Sequence, residues 1–158
     1  MKKIHDLLTK IGGCLQSPIL LVFRLAWGFQ LYESGWGHLT HVDKTADFFR
    51  SLHIPFPVVN VYLSGSVEFA GGILLMLGLF SRFISIPLFL NFCVAYLTAS
   101  PAAVKELLHF KNPDDFINDT AFPFLLTSIL ILAFGAGKIS LDFLLEKTCC
   151  RKSGASGS

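Results

Sequence analysis

The sequence predicts an all-α integral membrane protein: a four-helix bundle crossing the bilayer, with short interfacial helices in its two outer loops. Three observations carry this reading. The chain is 53% hydrophobic and only 15% charged, with a mean hydropathy of +0.60, whereas soluble domains average about 25% charged. It places 16 Phe among 158 residues, a load that small soluble cores rarely bury. Four apolar stretches also come near the roughly 20 residues that a transmembrane helix needs. In lipid every backbone amide and carbonyl must be bonded internally, so each stretch must be helical.

The first span runs from Pro18 to His38, with Ser17-Pro18 as its N-cap and first helical residue. An outer loop follows, "VDKTADFFRSLHIPFP". Val42, Ala46, Phe49 and Leu52 recur there at helical spacing and predict a short interfacial helix, ended by Pro55 and Pro57. The second span runs from Pro57 to Phe80. The third, Arg82 to Ser100, contains "FISIPLFLNFCVAYLTA", whose one strongly polar residue is Asn91. A soluble helix would need a polar stripe instead. The second outer loop holds "SPAAVKELLHF", where Leu107, Leu108 and Phe110 predict another interfacial helix. The fourth span runs from Thr120 to Gly137, with Asn118, Asp119 and Thr120 as cap candidates. Residues 1–148 are expected to form one four-span domain, and 149–158, ending in "SGASGS", a disordered cytoplasmic tail.

An even number of spans puts both termini on one side. Lys2, Lys3, Lys10, Arg82, Lys138, Lys147, Arg151 and Lys152 fall on that side. The opposite loops hold Lys44, Arg50, Lys105 and Lys111 among many acidic residues. The positive-inside rule therefore makes both termini cytoplasmic. Asp6 and Lys10 interrupt "MKKIHDLLTKIGG", so no cleaved signal peptide is expected. Cys14, Cys149 and Cys150 then face a reducing cytosol and Cys93 lies mid-membrane, so no disulfide is expected. Cys149-Cys150 reads first as two free thiols and second as a lipidation site. A pI near 8.4 and the lack of a basic stripe with interleaved aromatics argue against nucleic acid.

Arg24, Glu33 and Glu68 are ionisable residues inside the spans. Each costs at least about 2.5 kcal/mol in hydrocarbon when unpaired. At about 1.5 Å per residue, Arg24 is about 9 Å deep, Glu68 about 18 Å and Asn91 about 13 Å. Arg24, Glu68 and Asn91 are therefore expected to form one polar cluster. Ser64, Gly65, Ser66, Ala70, Gly71 and Gly72 around Glu68 let helices approach closely. Glu33 lies about 13 Å along the helix from Arg24, and on its opposite side. It is expected at the outer interface with His38 and His41. With Glu33 the two histidines resemble a loose metal or haem-ligand set, but they are read first as interfacial histidines facing water, with no metal site. No catalytic residue can be named from the sequence, since no nucleophile–base arrangement and no cofactor fingerprint is present.

The chain resembles the DoxX family of small four-helix membrane proteins. The resemblance rests on "FRLAWG" (Phe23 to Gly28), "SLHIPFP" (Ser51 to Pro57), "EFAGGILLMLGLFSR" (Glu68 to Arg82), "FCVAYLTA" and "FGAGKISLD" (Phe134 to Asp142). Arg24, Glu68, Gly71, Gly72, Gly78, Arg82 and Asp142 match the family pattern. Tyr32-Glu33 departs from it, where many relatives carry a Lys near a Gly. The resemblance implies a prokaryotic cytoplasmic membrane and a link to respiratory or thiol redox chemistry. It implies an accessory or scaffold subunit of a quinone- or thiol-linked oxidoreductase complex, with soluble or membrane redox partners and quinone as the candidate cofactor. The alternatives are a quinone-reactive subunit in its own right and, with less support, a proton-coupled or small-molecule transporter. An apolar slot beside Glu68 or Glu33 with a convergent polar group favours quinone. A tight core without one favours a scaffold.

Overall fold

The computed structural model describes residues 2–109, 114–145 and 147. Its helices are α1 (Lys2–Thr40), α2 (Val42–Ser51), α3 (Pro57–Leu77), α4 (Ser81–Ala99), α5 (Pro101–Leu108), α6 (Asp114–Ile117) and α7 (Phe122–Phe134). No strand occurs among the described residues. Helix α1 packs along α3 and also touches α7, while α4 packs on α7 and α3. The short α2 lies against α3, and α5 against α4. Cys149, Cys150 and the tail to Ser158 lie outside the described residues.

The distribution of polarity is inverted relative to a soluble protein. Arg24, Glu68, Ser81, Ser85, Thr127 and Ser128 are buried, while Val59, Leu63, Phe83, Leu90, Val94 and Leu97 are exposed. Helices α3 and α4 are long and apolar enough to cross a membrane, and less than half of each is buried. An apolar surface of this extent needs a non-aqueous neighbour. The hydroxyls of Ser85, Thr127 and Ser128 are satisfied within their own helices. Ser85 donates to Ser81 O (2.7 Å), Thr127 to Pro123 O (2.7 Å) and Ser128 to Phe124 O (2.8 Å). Local bonds of this kind let a polar side chain sit in an apolar core. Leu31, Leu75, Leu88, Phe92 and Ile131 form that core.

Two boundaries differ from those expected. Pro18 lies inside α1 rather than at its start. Ile4, Leu7, Leu8, Ile11 and Leu15 recur at helical spacing, so helix is favoured on both sides of the proline. The fourth apolar stretch is helical only over Phe122–Phe134, 13 residues, or about 20 Å. It stops at Gly135, whose φ of 75° lies outside the helical region, and Gly137 follows at 79°. Residues 135–140 are therefore irregular, with helix again over 141–145, and the carbonyls of the irregular stretch need donors from elsewhere.

Candidate functional site

Small residues bring α1 and α3 into close contact. A Cβ placed on Gly72 would lie 2.5 Å from Gly28 O and 2.6 Å from Tyr32 N. On Gly35 it would collide with Phe69 N. Glycine spaced by seven residues on each helix thus removes the side chains that would hold the two backbones apart. This contact aims Glu68 of α3 at α1.

Glu68 is 4% exposed. Its Oε2 accepts from Ser34 Oγ at 2.7 Å. Its Oε1 accepts from Ser64 Oγ at 3.1 Å and from Asn91 Nδ2 at 2.9 Å. His38 Nδ1 stands 3.6 Å from Oε2 and is itself buried without a hydrogen-bond partner. Neutral donors from three helices therefore hold the carboxylate, with one imidazole nitrogen left over.

A cavity of about 590 Å³ opens on this group. Ser34, His38, Ser64, Glu68 and Asn91 make its polar wall. Most of the remainder is apolar, including Val67, Leu90, Phe92 and Phe124. Phe48, Phe49 and Leu52 of α2 border it as well, and the Phe49 ring meets the His38 ring edge-on at 6.5 Å. Leu75, Leu88 and Ile131 of the core are absent from its lining and lie towards the other end of the helices. Small-molecule sites have this volume and this pattern, mostly apolar with a few convergent polar groups.

A family model, DoxX, matches residues 19–101. The chain belongs to the DoxX family. That membership, with the two apolar helices, indicates a membrane protein. No curated protein and no solved structure matches the chain.

In this DoxX chain Arg24 does not join Glu68 and Asn91. Its Nε donates to Leu75 O (2.8 Å), its Nη1 to Ala136 O (2.6 Å) and Ile139 O (2.9 Å), and its Nη2 to Met76 O (3.2 Å). The physical reason is supply of acceptors. The last turn of α3 and the irregular segment after α7 present carbonyls without helical donors, and a guanidinium carries five N–H groups. Asp142 completes this second centre. Its carboxylate accepts from Phe80 N (2.8 Å) and Ser81 N (3.0 Å) at the start of α4, and its own amide donates to Gly78 O (2.9 Å).

Gly78 sits at φ 68°. Its amide donates to Leu75 O and that of Leu79 to Leu74 O, the paired closure that ends many helices. A Cβ there would also collide with the Arg24 guanidinium. Three of the pattern positions, Arg24, Gly78 and Asp142, are thus one local structure. Gly71 faces Leu88 of α4 and Gly72 faces α1. Arg82 is exposed.

The expected outer group of Glu33, His38 and His41 is not one group. Glu33 is exposed. His41 is exposed and stays local, with Nδ1 3.0 Å from Thr40 Oγ1 and 3.3 Å from Gly37 O. His38 turns inward because it is one helical turn from Ser34, on the face that meets α3, whereas Glu33 is rotated about 100° from that face. Ser34 and Ser64 were not foreseen as members of the site. Their signal is in the sequence, since Ser34–His38 and Ser64–Glu68 are both i, i+4 pairs, one on α1 and one on α3.

Proposed function

We propose that this DoxX protein is a four-span subunit of a membrane-associated oxidoreductase assembly and binds a quinone-class molecule in the cavity against Glu68. In this reading α1, α3, α4 and α7 are the spans. The short α7 completes its crossing through residues 135–139. Irregular backbone at that depth is tolerated only where protein groups satisfy it, and Arg24 bonds Ala136 O and Ile139 O. Both termini face the cytoplasm of a prokaryotic inner membrane, following the distribution of Lys and Arg.

The cavity is the observation that carries the ligand. It sets an apolar volume of about 590 Å³ beside a carboxylate and an unpartnered His38 Nδ1. A quinone ring and the start of its tail are apolar, and its two oxygens need a donor or an acceptor at the ring edge. His38 Nδ1 can serve either need according to its tautomer, and Glu68 can accept from a quinol hydroxyl. A pure scaffold needs no such space. A transporter needs a route past Leu75, Leu88 and Ile131, where the core is closed.

The test is saturable binding of a short-tailed quinone to the purified full chain in nanodiscs. Glu68→Gln and His38→Ala should each weaken binding about tenfold, the worth of one good polar contact of about 1.4 kcal/mol, with thermal unfolding little changed. Absence of saturable binding to the unmodified chain refutes the quinone assignment.

A further inference from the structure

A second cavity, of about 540 Å³, lies at the opposite end of the helices, where α3 turns into α4. Its lining includes Arg82 and Lys138, both exposed. Neither side chain has an ion-pair partner among the described residues. The carboxylate in the same lining, Asp142, is already held by the amides of Phe80 and Ser81, and Arg24 behind it adds a further positive charge. The local balance is therefore cationic. Ser81 also lines this cavity, and its buried Oγ has no hydrogen-bond partner.

Depth and surroundings indicate what such a site takes. Helix α3 ends at Leu77 and α4 begins at Ser81, so the cavity lies at the level where both helices reach the edge of the apolar layer. Phe80, Phe83 and Phe134 border it and are 59%, 75% and 55% exposed. Two free cations beside exposed aromatic rings at this depth match a phosphate group with acyl chains attached. Arginine and lysine both bind phosphate, the first through paired donors and the second as a point charge.

We propose that this cavity is a binding site for the phosphate headgroup of an anionic phospholipid, held by Arg82 and Lys138 with the acyl chains lying along Phe83 and Phe134. The site is separate from the Glu68 cavity, and its test does not depend on quinone binding.

The experiment uses the full chain in detergent. Native mass spectrometry counts retained lipid after titration with phosphatidylglycerol, with phosphatidylcholine and with inorganic phosphate. The expected result is one tightly retained phosphatidylglycerol, at least tenfold preferred over phosphatidylcholine. Arg82→Gln/Lys138→Gln should lose that preference, and Arg82→Lys/Lys138→Arg should keep most of it. Thermal unfolding of the Gln pair without added lipid should match the unmodified chain, because neither side chain bonds another described residue. Equal retention of both lipids overturns the proposal, and so does a preference that survives in the Gln pair. Inorganic phosphate displacing the lipid at equal concentration also overturns it, since the acyl chains would then add nothing.

Discussion

Replacing Arg24 with Met keeps an unbranched side chain and removes every donor. Four carbonyls lose a bond: Leu75 O, Met76 O, Ala136 O and Ile139 O. Leu75 O keeps the Gly78 amide at 3.1 Å. Met76 O has no such reserve, because the amide one turn further on, Phe80 N, is held by Asp142. The buried carbonyl of Ala136 and the part-buried carbonyls of Met76 and Ile139 are thus left without a donor, at no more than about 1–3 kcal/mol each, so about 9 kcal/mol is the upper bound. Relief from burying a guanidinium offsets part of this. Breaking one side of a buried charged network typically costs about 3–5 kcal/mol net, and that is the expected loss. For a chain of this length it corresponds to a fall in Tm of about 10 °C. The assay is thermal unfolding in detergent followed by the fluorescence of Trp27, whose ring meets Phe124 edge-on at 5.8 Å. Arg24→Lys keeps the charge but offers three donors instead of a five-donor fork, and should lose about half as much. A Tm for Arg24→Met within about 2 °C of the unmodified chain would falsify the account of Arg24 as the donor that closes these helix ends.

Other substitutions probe the helix contacts. Gly72→Leu should cost more than about 3 kcal/mol, because its Cβ meets Gly28 O and Tyr32 N, both backbone atoms that move only with α1. Gly37→Ala, which meets nothing within 4 Å, should instead stabilise by about 0.5–1 kcal/mol through helix propensity. Unfolding midpoints of the two variants that shift in the same direction would contradict the close-approach argument. Asp142→Ala should cost about 1–2 kcal/mol by freeing two amides at the start of α4. Asp142→Asn should recover part of that, and the same unfolding assay reads both.

Much of the architecture was legible because it follows from period and hydropathy. Val42, Ala46, Phe49 and Leu52 repeat at helical spacing, and α2 covers Val42–Ser51 with Ala46 buried. The apolar runs ending at Phe80 and Ser100 correspond to α3 and α4. Depth counting placed Glu68 and Asn91 near one level, and their side chains are bonded. The partner of Arg24 was not legible, since it is backbone. A carbonyl left open by Gly135 and Gly137 has no mark in the side-chain sequence, whereas Glu68 has an obvious opposite charge. Charge alone therefore pairs the two ions, whereas the geometry gives the arginine to backbone dipoles. The inward turn of His38 is hidden in the sequence for a different reason. Depth groups it with Glu33 and His41, while helical phase groups it with Ser34, and phase decides which way a side chain faces.

The separation of Arg24 from Glu68 can itself be measured. Arg24 bonds the α3 backbone at Leu75 and Met76, seven residues beyond Glu68, or about 10 Å along the helix. The two side chains share no partner: carbonyls surround one, hydroxyls and an amide the other. Sites this far apart without common partners add within about 0.3–0.5 kcal/mol. A double-mutant cycle of Arg24→Gln with Glu68→Gln, in which each substitution removes one charge, should therefore show coupling below about 0.5 kcal/mol. A buried ion pair would give coupling of well over 1.5 kcal/mol, and that outcome would overturn the division into two centres. The division also governs what each residue is free to do. Arg24 spends four of its five donors on backbone carbonyls. Glu68 is held by neutral donors beside an open cavity, with His38 Nδ1 unpartnered at 3.6 Å. Additivity in the cycle would mean that Arg24 does not depend on the carboxylate, which leaves His38 and the cavity as the groups that Glu68 faces.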